Sequence, residues 1–179
     1  MQATSSDLAS LTASVAEDLK SHITSSSSTA HPSRDDLLRP AQALCDVFAS
    51  AAPPDDILTH FSSNPTAIEH GDPSLLPELK LGTPYTGING VSGYFNTIAS
   101  LFSFENMRFS DWSVDTEEKV VCVRGRARFS WKSTGQGWDE VFFYRLAMVE
   151  EKDEWKVGTY EVWADTGAAV RASEGELRQ

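Results

Sequence analysis

Four β-rich runs at the end of this chain, joined by very short connections, constrain its fold more than any other feature. Phe104 to Val114, Lys119 to Lys132, Trp138 to Val149 and Trp155 to Asp165 alternate apolar with polar residues or are rich in β-branched and aromatic side chains. Between them lie only Asp115 to Glu118, Ser133 to Gly137 and Glu150 to Glu154. A parallel crossover needs a dozen or more residues, so these runs are read as antiparallel neighbours in a meander.

What precedes the meander reads mostly as helix. Leu37, Leu38, Ala41, Leu44, Cys45, Val47 and Phe48 make one apolar face, with Pro40 either kinking that helix or marking its first turn. Pro53-Pro54-Asp55-Asp56 breaks it and opens a second, short helix with Ile57, Leu58 and Phe61 on its apolar side. Pro65 to His70 reads as a short strand, and the proline-containing Gly71–Thr86 stretch as a loop. The glycines of Gly87-Ile-Asn-Gly90 punctuate the chain before a third helix, where Val91, Tyr94, Phe95, Ile98, Leu101 and Phe102 follow helical spacing. Helices grouped before an antiparallel meander predict an α+β fold with the helices on one sheet face. A strongly twisted sheet can curl into a cone around the third helix, leaving a pocket between helix and sheet.

The first 34 residues differ. Leu8, Leu11, Val15, Leu19 and Ile23 predict an amphipathic helix over residues 6–24, followed by a Ser-rich linker that begins Ser25-Ser-Ser-Ser28. The expected organisation is an extension over 1–34, a domain over 35–170 and a tail over 171–179. With 15 basic and 26 acidic residues the net charge is −11, which repels phosphate backbones and argues against nucleic-acid or anionic-membrane partners. Two isolated cysteines, Cys45 and Cys122, give no metal or redox motif and fit a reducing compartment. No run approaches the ~20 apolar residues of a membrane helix, and the N-terminus lacks the pattern of a secretory signal. A cytoplasmic protein is expected.

Gly82-Thr-Pro-Tyr-Thr-Gly87 running into Val91-Ser-Gly-Tyr-Phe95, then Phe109-Ser-Asp-Trp112 and the ending Tyr160-Glu-Val-Trp-Ala-Asp165, carry a resemblance to the nuclear transport factor 2-like superfamily. Within it, the chain resembles the SnoaL-like proteins, and uncharacterised fungal members of that group in particular. The resemblance implies the cystatin-like, cone-shaped α+β fold, a small-molecule pocket and frequent dimerisation through the outer sheet face. It implies no single activity, because relatives include isomerases, dehydratases, cyclases, epoxide hydrolases and non-catalytic binders.

Candidate residues follow from the strands. Glu161, Trp163 and Asp165 share one face of the last strand; Tyr160, Val162 and Ala164 share the other. The resemblance places the acid of the Trp-x-Asp ending in the pocket, making Asp165 a candidate acid or base with Trp163 as a wall. The alternative is that Glu161 and Asp165 are solvated surface acids. Arg124, Arg126 and Arg128 alternate on the middle strand. An approximate register brings Arg126 near Tyr144 and Glu161, and Glu140 near Asp165. The arginine row is either a salt-bridged outer or dimer face, or an anchor for an anionic or carbonyl-bearing ligand.

Limonene epoxide hydrolases use an Arg-x-Asp pair on the corresponding strand. Here those positions read Arg124-Gly125-Arg126, so that acid is absent. His70 is a second candidate for proton transfer, since histidine is the side chain suited to exchanging protons at cellular pH, though a lone loop histidine is more often a surface group. Scytalone dehydratase-like relatives use histidines together with Tyr and Asp, and that full set is not evident. Tyr94 and Tyr144 could donate to a ligand carbonyl or simply pack, and Phe143 could form a wall.

Two readings stand. One is a cofactor-free enzyme, without metal, carrying out isomerisation, dehydration or cyclisation of a small hydrophobic metabolite. Asp165 or His70 would be the acid-base group, with Tyr144 or Arg126 stabilising negative charge. The other is a non-catalytic binder or homodimeric scaffold, whose pocket would bring no two ionisable groups within hydrogen-bond reach.

Overall fold

In the computed structural model, which describes residues 31–177, the compact unit begins at Pro32. The helix expected over 6–24 lies outside the described residues. Helix α1 (Arg34–Ala49) starts at a capping box, the Ser33 side chain accepting from the Asp36 amide while the Asp36 carboxylate accepts from the Ser33 amide. Pro40 is accommodated inside α1, and Leu37, Ala41, Leu44 and Cys45 form its fully buried stripe. Pro54 opens the short helix α2 (Pro54–Leu58).

Strand β1 (Phe61–His70) is longer than the expected Pro65–His70. Its pairing register shifts between Phe61 and Thr66, and Pro65, which has no N–H for a sheet ladder, lies within that irregular stretch. A loop with one 3₁₀ turn (Pro77–Leu79) buries Leu76, Leu79 and Leu81 and leads to β2 (Tyr85–Thr86). Helix α3 (Gly87–Leu101) begins at the glycines rather than after them, and Phe102 already belongs to the next strand.

The meander is β3 (Phe102–Asp115), β4 (Val120–Trp131), β5 (Gly137–Glu151) and β6 (Glu154–Trp163). These four strands pair antiparallel in sequence order, as expected. The sheet as a whole is mixed, because β1 adds to β6 in parallel and β2 closes the edge in the order β2-β1-β6-β5-β4-β3. Asn106 and Asp111 adopt left-handed backbone at two breaks in the β3–β4 register. Such bulges add local twist and bend the strand. The curved sheet wraps around helices: α1 packs against β3, β4 and β6, and α3 against β1. The cone is therefore filled by α1 as well as by the expected α3.

Helix α4 (Thr166–Glu174) crosses the expected domain end at residue 170. Ala168, Ala169 and Ala172 bury against Phe102, Trp131 and Trp138, so residues 171 and 172 belong to a packed element and not to a tail. No helix among the described residues is long and apolar enough to cross a membrane.

Candidate active site

The two faces of the sheet separate the candidate residues. On the concave face, the Cα register aligns Glu69, Val162, Tyr144 and Val123 across β1, β6, β5 and β4. On the convex face the adjacent row runs His70, Trp163, Phe143 and Arg124. Neighbouring residues of a strand point to opposite sides, so a one-residue step decides which row meets the interior.

A cavity of about 360 Å³ opens between the concave face and the helices. Its walls are mainly aromatic, including Phe48, Phe95, Phe142 and Trp138 together with Tyr94, Tyr144 and Tyr160. The tyrosines form a continuous cluster, with ring centroids 4.9 Å apart for Tyr144 and Tyr160 and 6.3 Å for Tyr94 and Tyr160. Gly125 sits beneath this wall. A Cβ there would meet the Phe142 ring at 2.0 Å, so the glycine makes the space that the ring occupies.

Two acids reach this apolar space. Glu69, inward-facing on β1, accepts a hydrogen bond from the Tyr94 hydroxyl at 2.8 Å through Oε2. Burial pushes its carboxyl up to about 7; the Tyr94 bond opposes that shift and the nearby Glu140 adds to it. Glu140, inward-facing on β5 and only 8% exposed, accepts from Trp138 Nε1 at 2.5 Å and from the Asp165 backbone amide at 2.9 Å. Its carboxyl is also raised, chiefly by burial, against the pull of those two donors. Burial and the Glu69 charge hold the Tyr94 hydroxyl well above the usual phenol range, so it stays a donor.

The expected residues are distributed between the two sides. Tyr144 and Tyr94 line the cavity. Asp165 lies at its exposed rim, where its Oδ1 accepts from the Ala168 amide at 3.0 Å and caps α4. Glu140 and Asp165 do meet, through the Asp165 amide. Trp163, Glu161, Phe143, Arg126 and His70 face away from the cavity. Trp163 stacks on His70 with ring centroids 4.1 Å apart and an interplanar angle of 8°, and Phe143 packs beside it at 6.3 Å. Glu161 is held by Arg145 at 2.5 Å and His70 at 3.2 Å. Arg126 lies opposite Val141, not Tyr144, because the β4–β5 register is offset by three residues from the expected one. That offset also reverses its face.

Glu69 is the acid that the strand pattern failed to single out. The usable signal was its spacing from Ala67: both occupy the inward phase of β1, whereas His70 occupies the outward one. Among the described residues, no group of three or more His, Cys, Asp or Glu side chains could hold a metal ion.

No family model matches the sequence, and neither does any curated protein. Solved structures do match in fold. A nuclear transport factor 2-like protein of unknown function from Burkholderia pseudomallei aligns with a TM-score of 0.62 at 14% identity, over 76% of this chain and 96% of its own. A ketosteroid isomerase-like protein from Erwinia carotovora aligns at 0.56 and 11% identity, over 75% and 98%. The BvnE pinacolase from Penicillium brevicompactum aligns at 0.60 and 14% identity, over 80% and 95%. Residues 31–177 therefore have the nuclear transport factor 2-like fold, with Glu69 and Glu140 turned into its concave side.

Proposed function

We propose that the cavity takes up a small hydrophobic molecule and that Glu69 exchanges a proton with it, in an isomerisation, dehydration or cyclisation without a cofactor. The observation that carries this reading is the Glu69 carboxyl in an aromatic cavity, raised to about 7 and aligned by Tyr94 at 2.8 Å. A carboxyl poised there is present in both protonation states near neutral pH, so one form can remove a proton and the other return it. The Tyr144 hydroxyl, held in the neutral form by burial and accepting from Tyr160, keeps its own hydrogen available to donate to negative charge developing on a substrate oxygen. A purely binding cavity was expected to bring no two ionisable groups within hydrogen-bond reach; the Glu69–Tyr94 pair favours proton transfer instead.

The acid-base role thus moves from Asp165 and His70 to Glu69. Asp165 uses its carboxylate to cap a helix, and His70 sits across the sheet from the cavity. A probe with acidic C–H bonds tests the proposal. Incubated in D₂O with 2-tetralone, the protein should accelerate deuterium incorporation at the α-carbon, followed by NMR, and Glu69→Gln should lower that rate by at least about 100-fold. Tetralone binding with equal exchange in wild type and variant would leave a binding protein, not a catalyst.

A further inference from the structure

The cavity is rich in hydrogen-bond acceptors and poor in cations. Buried carboxyls are ordinarily paired with a cationic side chain. Neither Glu69 nor Glu140 forms an ion pair among the described residues: Glu69 is bonded by a phenol, Glu140 by an indole and a backbone amide. The only cationic side chain among the lining residues is Lys132, which is exposed and donates to the Ala99 carbonyl.

Glu69 Oε1, the oxygen not engaged by Tyr94, is given no side-chain hydrogen bond among the described residues. An ionised carboxylate can only accept, so a ligand group that meets Oε1 has to donate. The walls carry the same preference. Tyr94, Tyr144 and Tyr160 line the same space as Glu69, and aromatic rings attract organic cations.

We propose that the ligand of this cavity carries an organic ammonium group, held between Glu69 and Glu140 and against the rings of Tyr94, Tyr144 and Tyr160. This deepens the proton-transfer reading and rests on its assumption that the cavity admits a small molecule. The ammonium hydrogens donate to Glu69 Oε1, and the cation offsets two carboxylates that otherwise repel each other. The apolar remainder of the ligand fills the space toward Phe95 and Phe142.

Binding then depends on pH. Glu69 is faced by Tyr94 from α3, Tyr85 from β2, Glu140 and Tyr144 from β5, and Tyr160 from β6. The three tyrosines nearest the cavity remain neutral, and ammonium binding favours the ionised form of Glu69. A primary ammonium keeps its proton across pH 6–8, as lysine does with its pKa of about 10.4. With Glu69 titrating at about 7, affinity should fall about 10-fold from pH 8 to pH 6.

Calorimetric titration with 2-naphthylmethylammonium and its neutral counterpart 2-naphthalenemethanol decides the matter. The amine should bind at least about 10-fold more tightly than the alcohol at pH 8, lose that advantage at pH 6, and lose it at both pH values in Glu69→Gln, which should still bind the alcohol. Equal or tighter binding of the alcohol by wild type would overturn the ammonium assignment and leave the proton-transfer reading standing. Amine binding that is unchanged in Glu69→Gln would overturn it as well. Binding of neither probe would remove both this assignment and the cavity's role as a ligand site.

Discussion

At the scale of single residues, Glu69 couples the site to stability. A carboxyl raised from its ordinary value near 4.5 to about 7 binds its proton more tightly folded than unfolded. Between those two values the folded state holds the extra proton, so stability must fall as pH rises through that window and level off above it. Over the full interval the loss is on the order of 3 kcal/mol. Glu69→Gln keeps the shape and cannot ionise. Urea unfolding at pH 4.5 and pH 8 should therefore show the variant gaining stability relative to wild type at the higher pH, with the difference near zero at the lower one. A constant difference between the two proteins at both pH values would mean that Glu69 is not desolvated. Glu140 contributes a slope of the same sign in both proteins, so the comparison isolates Glu69 together with its coupling to Glu140.

At the scale of elements, the strands were legible in the sequence and their faces were not. The meander could be read because its turns are short and each run is long. The parallel addition of β1 to β6 could not, since it joins segments far apart in the chain and leaves no local periodicity. Which phase of β6 faced inward was equally hidden. Glu161 and Trp163 look like pocket residues beside Asp165, yet Tyr160 and Val162, which look like ordinary core, form the wall. Helix α4 was missed because Thr166 to Glu174 is short and its buried stripe is alanine, which carries little hydrophobic signal.

Gly125 shows how tightly the face assignment is enforced. With Phe142 crossing where its Cβ would lie, Gly125→Ala forces the ring or the strand to shift. Overpacking of this kind should destabilise the fold by about 1–3 kcal/mol, read as a lowered urea midpoint. It should also weaken 2-tetralone binding, because Phe142 is displaced into the cavity. An unchanged midpoint would show that β4 and β5 are not held in the register described.

At the scale of the whole molecule, the convex sheet face is built differently from the concave one. Val141 is 56% exposed and Phe143 and Trp163 each 41% exposed, on adjacent strands, with Arg126 directly across from Val141 and Arg124 across from Phe143. Exposed aromatic and aliphatic residues bordered by charges mark an interaction surface. The face can complement itself: Arg124 pairs with Asp111 and Arg128 with Glu105 and Asp139, while Arg126 makes no ion pair among the described residues. A two-fold axis through this face would let the apolar patch of one copy cover that of the other and bring arginines toward the partner's acids. We accordingly expect a homodimer, in which Trp163→Glu places a charge in the apolar centre and yields monomers. Sedimentation at micromolar concentration would register the change in mass. Because Trp163 lies across the sheet from Glu69, the same variant should bind 2-tetralone with little change. A wild-type protein already monomeric under those conditions would leave the exposed patch without this partner, and the cavity chemistry would then have to operate within a single copy.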